Sequence, residues 1–198
     1  MNQLIRLVST DDAEEIQAIY APYVRESAIS FERTPPAVED IRQRILDIED
    51  SRPWLICEHD GGVVGYAYAG SHRVREAYQW SVESSVYVHS DYHRSGIARG
   101  LYTSLLAVLD LQGYQNVYAG TTLPNPASVG FHEAMGFELV GVYENVGAKN
   151  GEWYDVQWRQ LSLGDHPSSP DPPLSISEAQ EREHWNEALS AGEPAIQL

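Results

Sequence analysis

The segment His93-Arg94-Ser95-Gly96-Ile97-Ala98 combines residue types that could hold a phosphate group. It stands between a predicted strand and a predicted helix, and its fourth and sixth positions are small. Such a turn lets backbone N–H groups face outward, and the helix that follows adds partial positive charge at its N-terminus. Arg94 and Arg99 could supply guanidinium groups to the same anion. We predict a pyrophosphate site here; ordinary helix initiation is the alternative.

A pair of arginines forms the second candidate site. Arg73 and Arg75, followed by Tyr78, lie in a polar segment just before a long predicted strand. A guanidinium group binds a carboxylate through two parallel hydrogen bonds, and two neighbouring arginines in an acidic chain favour an anionic ligand. Surface arginines that pair with Glu76 and other acidic residues are the alternative.

The seven histidines and the single cysteine, Cys57, form no metal-ligand pattern. His89 and His93 are four residues apart, but no third ligand lies near them in sequence. One cysteine excludes an intrachain disulfide and any site with several thiolates. We therefore expect no metal.

The elements that position these residues follow from hydrophobic periodicity, capping residues and turns. The order β-α-α-β-β-β-α-β-α-β-β predicts a mixed α/β fold. The predicted elements are helices with apolar positions at Ile16, Ile19, Tyr20 and Tyr23 and at Ile41, Ile45 and Ile48; strands 54–58, 63–69 and 78–88; a helix ended by Gly113; a strand 116–122; a helix 127–135; and strands 139–143 and 153–161.

Composition limits the possible classes of function. The chain has 198 residues, 42% of them hydrophobic, and 29 acidic against 13 basic residues, with a formal net charge of −16. A nucleic-acid binder needs a basic surface, so this class is disfavoured. No membrane span or secretory signal is visible, and we expect a cytoplasmic protein. The acidic, lysine-poor composition fits either a high-salt cytoplasm or a codon bias toward arginine.

The composition changes at Gly164. Residues 164–198 are rich in proline and carry seven acidic residues and one arginine. Such a sequence buries little surface. We predict a flexible linker followed by one short helix that starts near Ser175 and ends at Gly192, outside a domain of residues 1–163.

The phosphate turn resembles the [Q/R]-x-x-G-x-[G/A] signature of the GNAT superfamily of N-acetyltransferases, with His93 in place of Gln or Arg. Further segments, over residues 3–163, are similar to the phosphinothricin acetyltransferase subfamily. This resemblance implies a mixed, mostly antiparallel sheet flanked by helices, with acetyl-CoA as co-substrate. The segments are Tyr20-Ala21-Pro22-Tyr23, Ser30-Phe31-Glu32, residues 82–88, Leu123-Pro124-Asn125, residues 132–137, and Lys149 with Gly151, Trp153 and Asp155.

The resemblance also implies roles for residues. Glu83, in the long strand, becomes the general base that deprotonates the amine; without the resemblance, a rim carboxylate in an ion pair would be favoured. His132 takes the place of a tyrosine acid, or is a packed core histidine. The remaining implied contacts are Val86, Tyr87, Val88 and Asn125 to the co-substrate, and Phe31, Arg73, Arg75 and Tyr78 to the acceptor.

We expect an acetyltransferase for a small amino-acid-like acceptor of the phosphinothricin, methionine sulfoximine or methionine sulfone type. Transfer to another amine (an amino acid, a polyamine or a protein N-terminus) and a non-catalytic acyl-CoA sensor are the alternatives. The resemblance further implies a homodimer, and we expect neither a nucleic-acid nor a membrane partner.

Overall fold

The computed structural model describes residues 4–48 and 50–198. The described elements follow the predicted order, and the predicted mixed α/β fold class is confirmed. They are β1 (Ile5–Leu7), α1 (Ala13–Glu26), α2 (Val38–Ile48), β2 (Trp54–His59), β3 (Gly62–Ser71), β4 (Ser81–Val88), α3 (Ile97–Gln112), β5 (Asn116–Thr122), α4 (Pro126–Ala134), β6 (Glu138–Lys149), β7 (Glu152–Ser162), α5 (Ile176–Gln180) and α6 (Trp185–Ser190).

The seven strands form one sheet in the order β1-β2-β3-β4-β5-β7-β6, and β4 and β5 are its parallel pair. Helices cover both faces, and each face has its own hydrophobic cluster. Ile16 and Ile41, from α1 and α2, pack with Trp54 on one face. Leu101 and Leu105, from α3, pack with Val82 on the other. Since side chains alternate along β4, its Val82 and Glu83 point to opposite faces.

The parallel strands β4 and β5 separate part-way along their length. Their register runs from Ser81 opposite Asn116 to Glu83 opposite Tyr118 and ends there among the described residues. β4 nevertheless continues to Val88 and β5 to Thr122, held by β3 and β7 on their outer edges. Among the described residues the two facing edges no longer pair beyond Glu83, so a gap opens there.

Two predicted boundaries differ from the structure by three residues or more. Tyr78 ends a short 3-10 turn that starts at Glu76, so β4 starts only at Ser81. β6 continues beyond Tyr143 as far as Lys149, with a register shift that the sequence pattern does not reveal. The Asn145 backbone N–H donates to Asp155 Oδ1 at 2.7 Å. A side chain of β7 therefore holds β6 in place at its register shift.

The C-terminal segment, residues 164–198, packs against α3. It forms two short helices where one was predicted, and Ile176, Trp185 and Leu189 are buried in the same cluster as the α3 side chains. Tail backbone also bonds to the body, since the Gly192 N–H donates to Ser104 Oγ at 3.0 Å. The domain boundary at residue 164 stays a prediction, but the tail shares the core of the body.

Lys149, the single lysine of the chain, is buried at the end of β6 with 4% exposure. Its Nζ donates to the backbone carbonyls of Val24 (2.7 Å) and Ser30 (2.5 Å), which ties the β6–β7 hairpin to the end of α1. Burial lowers the pKa of this amine.

An amine-directed reagent is therefore expected to leave Lys149 unmodified in the native protein and to modify it after unfolding. The physical reason is that both burial and the two carbonyl acceptors withdraw Nζ from solvent. Mass spectrometry of peptides labelled with and without denaturant measures the protection. Equal labelling in both states would contradict the buried position.

Candidate active site

Glu83 lies where the gap between β4 and β5 opens. Its Oε1 is 3.0 Å from His72 Nδ1 and accepts a hydrogen bond from Arg73 Nη1 at 3.2 Å. Within the described ranges, Oε2 has no hydrogen-bond partner. The carboxylate is one-third exposed, so it is both anchored and accessible. The alternative of a rim carboxylate in an ion pair is equally consistent with these contacts.

Aromatic side chains from three elements surround the His72 ring. It stacks on Tyr118 of β5, with ring centroids 4.3 Å apart and an interplanar angle of 15°. Trp158 of β7 and Tyr78 approach it edge-on, at 6.3 and 6.0 Å. Sequence reasoning missed His72, Tyr118 and Trp158, because they meet only in the folded sheet. A predicted parallel pairing of strands 78–88 and 116–122, with Tyr118 opposite Glu83, could have suggested that Tyr118 lies near Glu83.

The loop that contains Arg73 and Arg75, between β3 and β4, lines a cavity of about 300 Å³. Arg73, Arg75 and Tyr78 all contribute to its wall, so the structure brings these three predicted acceptor residues together. Arg73 also contacts Glu83, whereas neither Arg73 nor Arg75 forms an ion pair with Glu76 in the part of the chain that is described. The wall also includes Glu76 and Val82, and Val82 points to the opposite face of β4 from Glu83, so Arg73 links this cavity to the carboxylate.

A second cavity of about 220 Å³ lies on the sheet face of α1 and α2. It is lined by Gly70, which is opposite Glu83 in the β3–β4 register, and by Tyr68 and Arg44. Arg44 forms an ion pair with Glu32 at 2.9 Å. This cavity thus offers a second approach to the region of Glu83.

Phe31 lies away from the arginine cavity. Its ring packs on Gly147 of β6, where a Cβ atom would collide with it, and its centroid is 6.4 Å from that of Tyr154. The ring is 37% exposed. Phe31 therefore contacts the β6–β7 hairpin, and its predicted role as a pocket wall stays a prediction.

The predicted phosphate turn has the backbone of an anion site. Arg94 and Gly96 have positive φ angles of 67° and 81°, and Gly96 caps α3. The Gly100 N–H is the first that the helix satisfies, by bonding to the Gly96 carbonyl at 2.9 Å. The preceding N–H groups of the turn, at Ile97, Ala98 and Arg99, lie at the positive end of the helix dipole. The Ser95 hydroxyl instead donates to the Tyr92 carbonyl at 2.6 Å, and the side chains of Arg94 and Arg99 are exposed.

The strand segment Val86, Tyr87 and Val88 lies along the open edge of β4. The Val88 carbonyl accepts a hydrogen bond from the Tyr23 hydroxyl at 2.6 Å and lies 3.2 Å from His93 Nε2. His93, at the position where Gln or Arg was expected, thus joins the strand end to α1.

Asn125 starts α4, on the far side of the gap. Its Oδ1 accepts a hydrogen bond from the Ser128 backbone N–H at 3.1 Å, as an N-terminal cap. Its side-chain oxygen is therefore used to cap α4, while the amide nitrogen has no hydrogen-bond partner among the described residues. The predicted contact with a co-substrate stays a prediction.

His132 is buried in α4 among aromatic rings. Nδ1 donates to the Ser128 carbonyl at 2.8 Å, and Nε2 lies 3.1 Å from the Tyr102 hydroxyl, which is itself 3.1 Å from Ser84 Oγ. Burial lowers the pKa of His132, which favours the neutral form of the ring. Ser84 and Glu83 point to opposite faces of β4. The structure therefore does not bring His132 and Glu83 together, and its contacts favour the alternative of a satisfied core histidine.

No group of three or more His, Cys, Asp or Glu side chains in residues 4–48 and 50–198 is arranged to hold a metal ion. Over the same ranges, no helix has the length and apolar character needed to cross a membrane.

Comparison with known proteins identifies the family. A family profile described as an acetyltransferase (GNAT) domain matches residues 5–158. The chain belongs to this GNAT family. The GNAT resemblance read from the phosphate turn and the separated segments is therefore confirmed, as is the prediction of an acyltransferase.

Individual GNAT relatives extend the comparison. The chain is 35% identical to a phosphinothricin N-acetyltransferase of Streptomyces viridochromogenes, over 88% of this chain and 94% of the relative. It is 33% identical to an L-methionine sulfoximine/L-methionine sulfone acetyltransferase of Pseudomonas aeruginosa, over 86% and 100%. A crystal structure of a phosphinothricin acetyltransferase from Sinorhizobium meliloti in complex with AcCoA superposes with a TM-score of 0.82 at 30% identity, covering 88% of this chain and 96% of that one.

Proposed function

We propose that this protein transfers the acetyl group of acetyl-CoA to the amino group of a small amino-acid-like acceptor of the phosphinothricin, methionine sulfoximine or methionine sulfone type. The observation that carries the proposal is the gap between β4 and β5, which starts at Glu83 and opens toward the phosphate turn. The relatives named for these acceptors support the same substrate class.

The residues present fit acetyl-CoA. The N–H groups at the start of α3 suit a pyrophosphate, with Arg94 and Arg99 as exposed cations beside them. The open edge at Val86–Val88 suits the amide groups of pantetheine, which can pair as an added strand does. When bound, acetyl-CoA supplies the acetyl group as a thioester. The chain's own residues must orient the acceptor amine and remove its proton.

Glu83 is the proposed general base. An ammonium group cannot attack a carbonyl, so a proton must leave the acceptor nitrogen before transfer. Oε2 can accept that proton directly or through one water, because the contacts from His72 and Arg73 both involve Oε1. The neutral nitrogen would then attack the thioester carbonyl directly, without an acyl-enzyme. As the C–N bond forms, the C–S bond breaks and CoA leaves as a thiolate, which takes up, through solvent, the proton that the nitrogen loses on becoming an amide. For His132, the contacts favour holding α4 against Tyr102 over proton transfer.

Arg75→Ala is expected to raise the acceptor KM by about 10- to 100-fold, with little change in the KM for acetyl-CoA. A charged hydrogen bond contributes about 1.5–3 kcal/mol, and Arg75 lines the cavity while, among the described residues, no hydrogen bond or ion pair joins it to Glu83. Arg75→Lys should recover only part of the loss, because lysine lacks the bidentate geometry. Steady-state kinetics with both substrates varied measure the split.

Arg42→Ala removes a surface side chain of α2 that pairs with Glu39; it is the control and should leave both constants unchanged. An increase in acceptor KM confined to Arg44→Ala would instead place the acceptor in the second cavity. Equal increases for acceptor and acetyl-CoA with Arg75→Ala would contradict the assignment.

Free-thiol release from acetyl-CoA tests the proposed function itself. We expect release with phosphinothricin, methionine sulfoximine and methionine sulfone, and much less with spermidine or unmodified amino acids. Release only with the latter would keep the acetyltransferase and overturn the acceptor class. Binding of acetyl-CoA without release for any acceptor would support the acyl-CoA sensor.

The same proposal includes a homodimer, as the resemblance implies. β6 is the edge strand of the sheet, and the hairpin that it forms with β7 exposes a group of large apolar side chains. Exposed apolar surface on an edge strand is typical of an interface. In sedimentation experiments the native chain should be a dimer, and the Val142→Glu variant should be a monomer. A monomeric native chain would contradict the proposed homodimer. The exposed side chains are Leu139, Val140, Val142, Tyr143, Val146 and Trp153.

A further inference from the structure

We infer that His72 is a positioning residue for Glu83, and this inference rests on the proposed function. The imidazole Nδ1–H holds Oε1 and so presents Oε2 to the acceptor ammonium. His72 lies outside the segments that carry the family resemblance, so no role comes to it from there.

The fold restricts the His72 ring strongly. Its side chain is 13% exposed and follows directly after the end of β3. The stack on Tyr118 fixes the plane of the ring, and the edges of Trp158 and Tyr78 limit its rotation. A donor that is held on three sides needs little ordering when the acceptor binds, so it orients the carboxylate at small entropic cost.

Arg73 also contacts Glu83 Oε1, but it restricts the orientation of the carboxylate less than His72 does. Its side chain is 46% exposed, and the same Nη1 also donates to the His72 carbonyl at 2.7 Å. Exposed ion pairs with long side chains contribute little and are screened by salt. Arg73 therefore adds charge near Glu83, whereas His72 sets the direction in which the carboxylate points.

Two substitutions separate hydrogen bonding from packing. His72→Phe keeps the aromatic ring on Tyr118 and removes the donor to Glu83. His72→Asn keeps an N–H donor near the position of Nδ1 and removes the stack. We expect His72→Phe to lower kcat by about 10- to 100-fold with unchanged acetyl-CoA affinity and unchanged Tm. His72→Asn should retain kcat within about threefold of the native protein even if its Tm falls. A native kcat in His72→Phe together with a reduced kcat in His72→Asn would overturn the inference.

A measurement that does not depend on turnover separates this inference from the proposed function. The imidazole N–H proton of His72 should give a slowly exchanging NMR signal in the native protein, and Glu83→Ala should abolish it. A missing native signal, or one that persists in Glu83→Ala, would overturn the contact. If the signal is present in the native protein and lost in Glu83→Ala, but no acceptor is turned over, only the proposed function would be overturned.

Discussion

Glu83→Gln is expected to lower kcat at neutral pH by about 100-fold or more, while the dissociation constant of acetyl-CoA changes by less than about twofold. Glutamine keeps the size of the side chain and an oxygen for the contacts with His72 and Arg73, but it cannot accept a proton. General base catalysis contributes about 10²- to 10⁴-fold, which sets the expected loss.

The pH dependence of this loss identifies its cause. As the pH rises toward the pKa of the acceptor amine, solvent deprotonates the nucleophile, and the deficit of Glu83→Gln should shrink. A purely structural defect would persist at all pH values. Glu14→Gln, an exposed carboxylate at the start of α1, is the matched control and should match the native protein. A Glu83→Gln enzyme with native kcat would remove the general-base assignment.

Trp185→Ala is expected to lower the free energy of unfolding by about 3–5 kcal/mol, the range for truncating a buried Trp. Trp185 is 7% exposed and belongs to the cluster that α3 forms with the sheet. The loss should therefore appear in the single unfolding transition of the whole chain. Denaturant unfolding followed by circular dichroism measures it. An unchanged midpoint, or a separate early transition, would contradict a tail that shares the core.

Two helical glycines provide a matched test of the same contact. A Cβ at Gly100 of α3 would lie 2.7 Å from Ile196 Cγ1 and 2.8 Å from the Gly192 carbonyl oxygen, whereas nothing lies within 4 Å of a Cβ at Gly130 of α4. Alanine is favoured over glycine inside a helix by about 1 kcal/mol. We therefore expect Gly130→Ala to stabilise the protein and Gly100→Ala to destabilise it by displacing the tail. Stabilisation by both would show that the tail does not occupy this face.

The end of the tail also contacts the phosphate turn. The Gln197 backbone N–H donates to the Ser95 carbonyl at 2.7 Å, and Gly96 has no room for a Cβ because the Ala195 carbonyl lies against it. Among the described residues, these contacts involve the Ser95 carbonyl and the Gly96 Cα and do not use the N–H groups of the turn.

Because the tail supports the backbone of the turn, Trp185→Ala should also weaken acetyl-CoA binding. Isothermal titration measures the dissociation constant.

The sequence by itself determined the features that depend on neighbouring residues. The phosphate turn and the order of helices and strands both arise from local periodicity and from residues that tolerate positive φ. The family followed from the same local segments, because they carry its motifs in order.

Only the tertiary structure decided which side chains meet. The separation of β4 from β5 depends on partners outside them, β3 and β7, that hold their outer edges. His72 reaches Glu83 because β3 and β4 pair in register, and it is held there by Tyr118 and Trp158 from strands far along the chain. His132 does not lie beside Glu83, because it contacts Tyr102 on the face of Ser84 and the pleat of β4 sends adjacent residues to opposite faces. The tail, polar and proline-rich in sequence, packs because α3 presents small residues at Gly96, Gly100 and Ser104, a surface that composition cannot reveal.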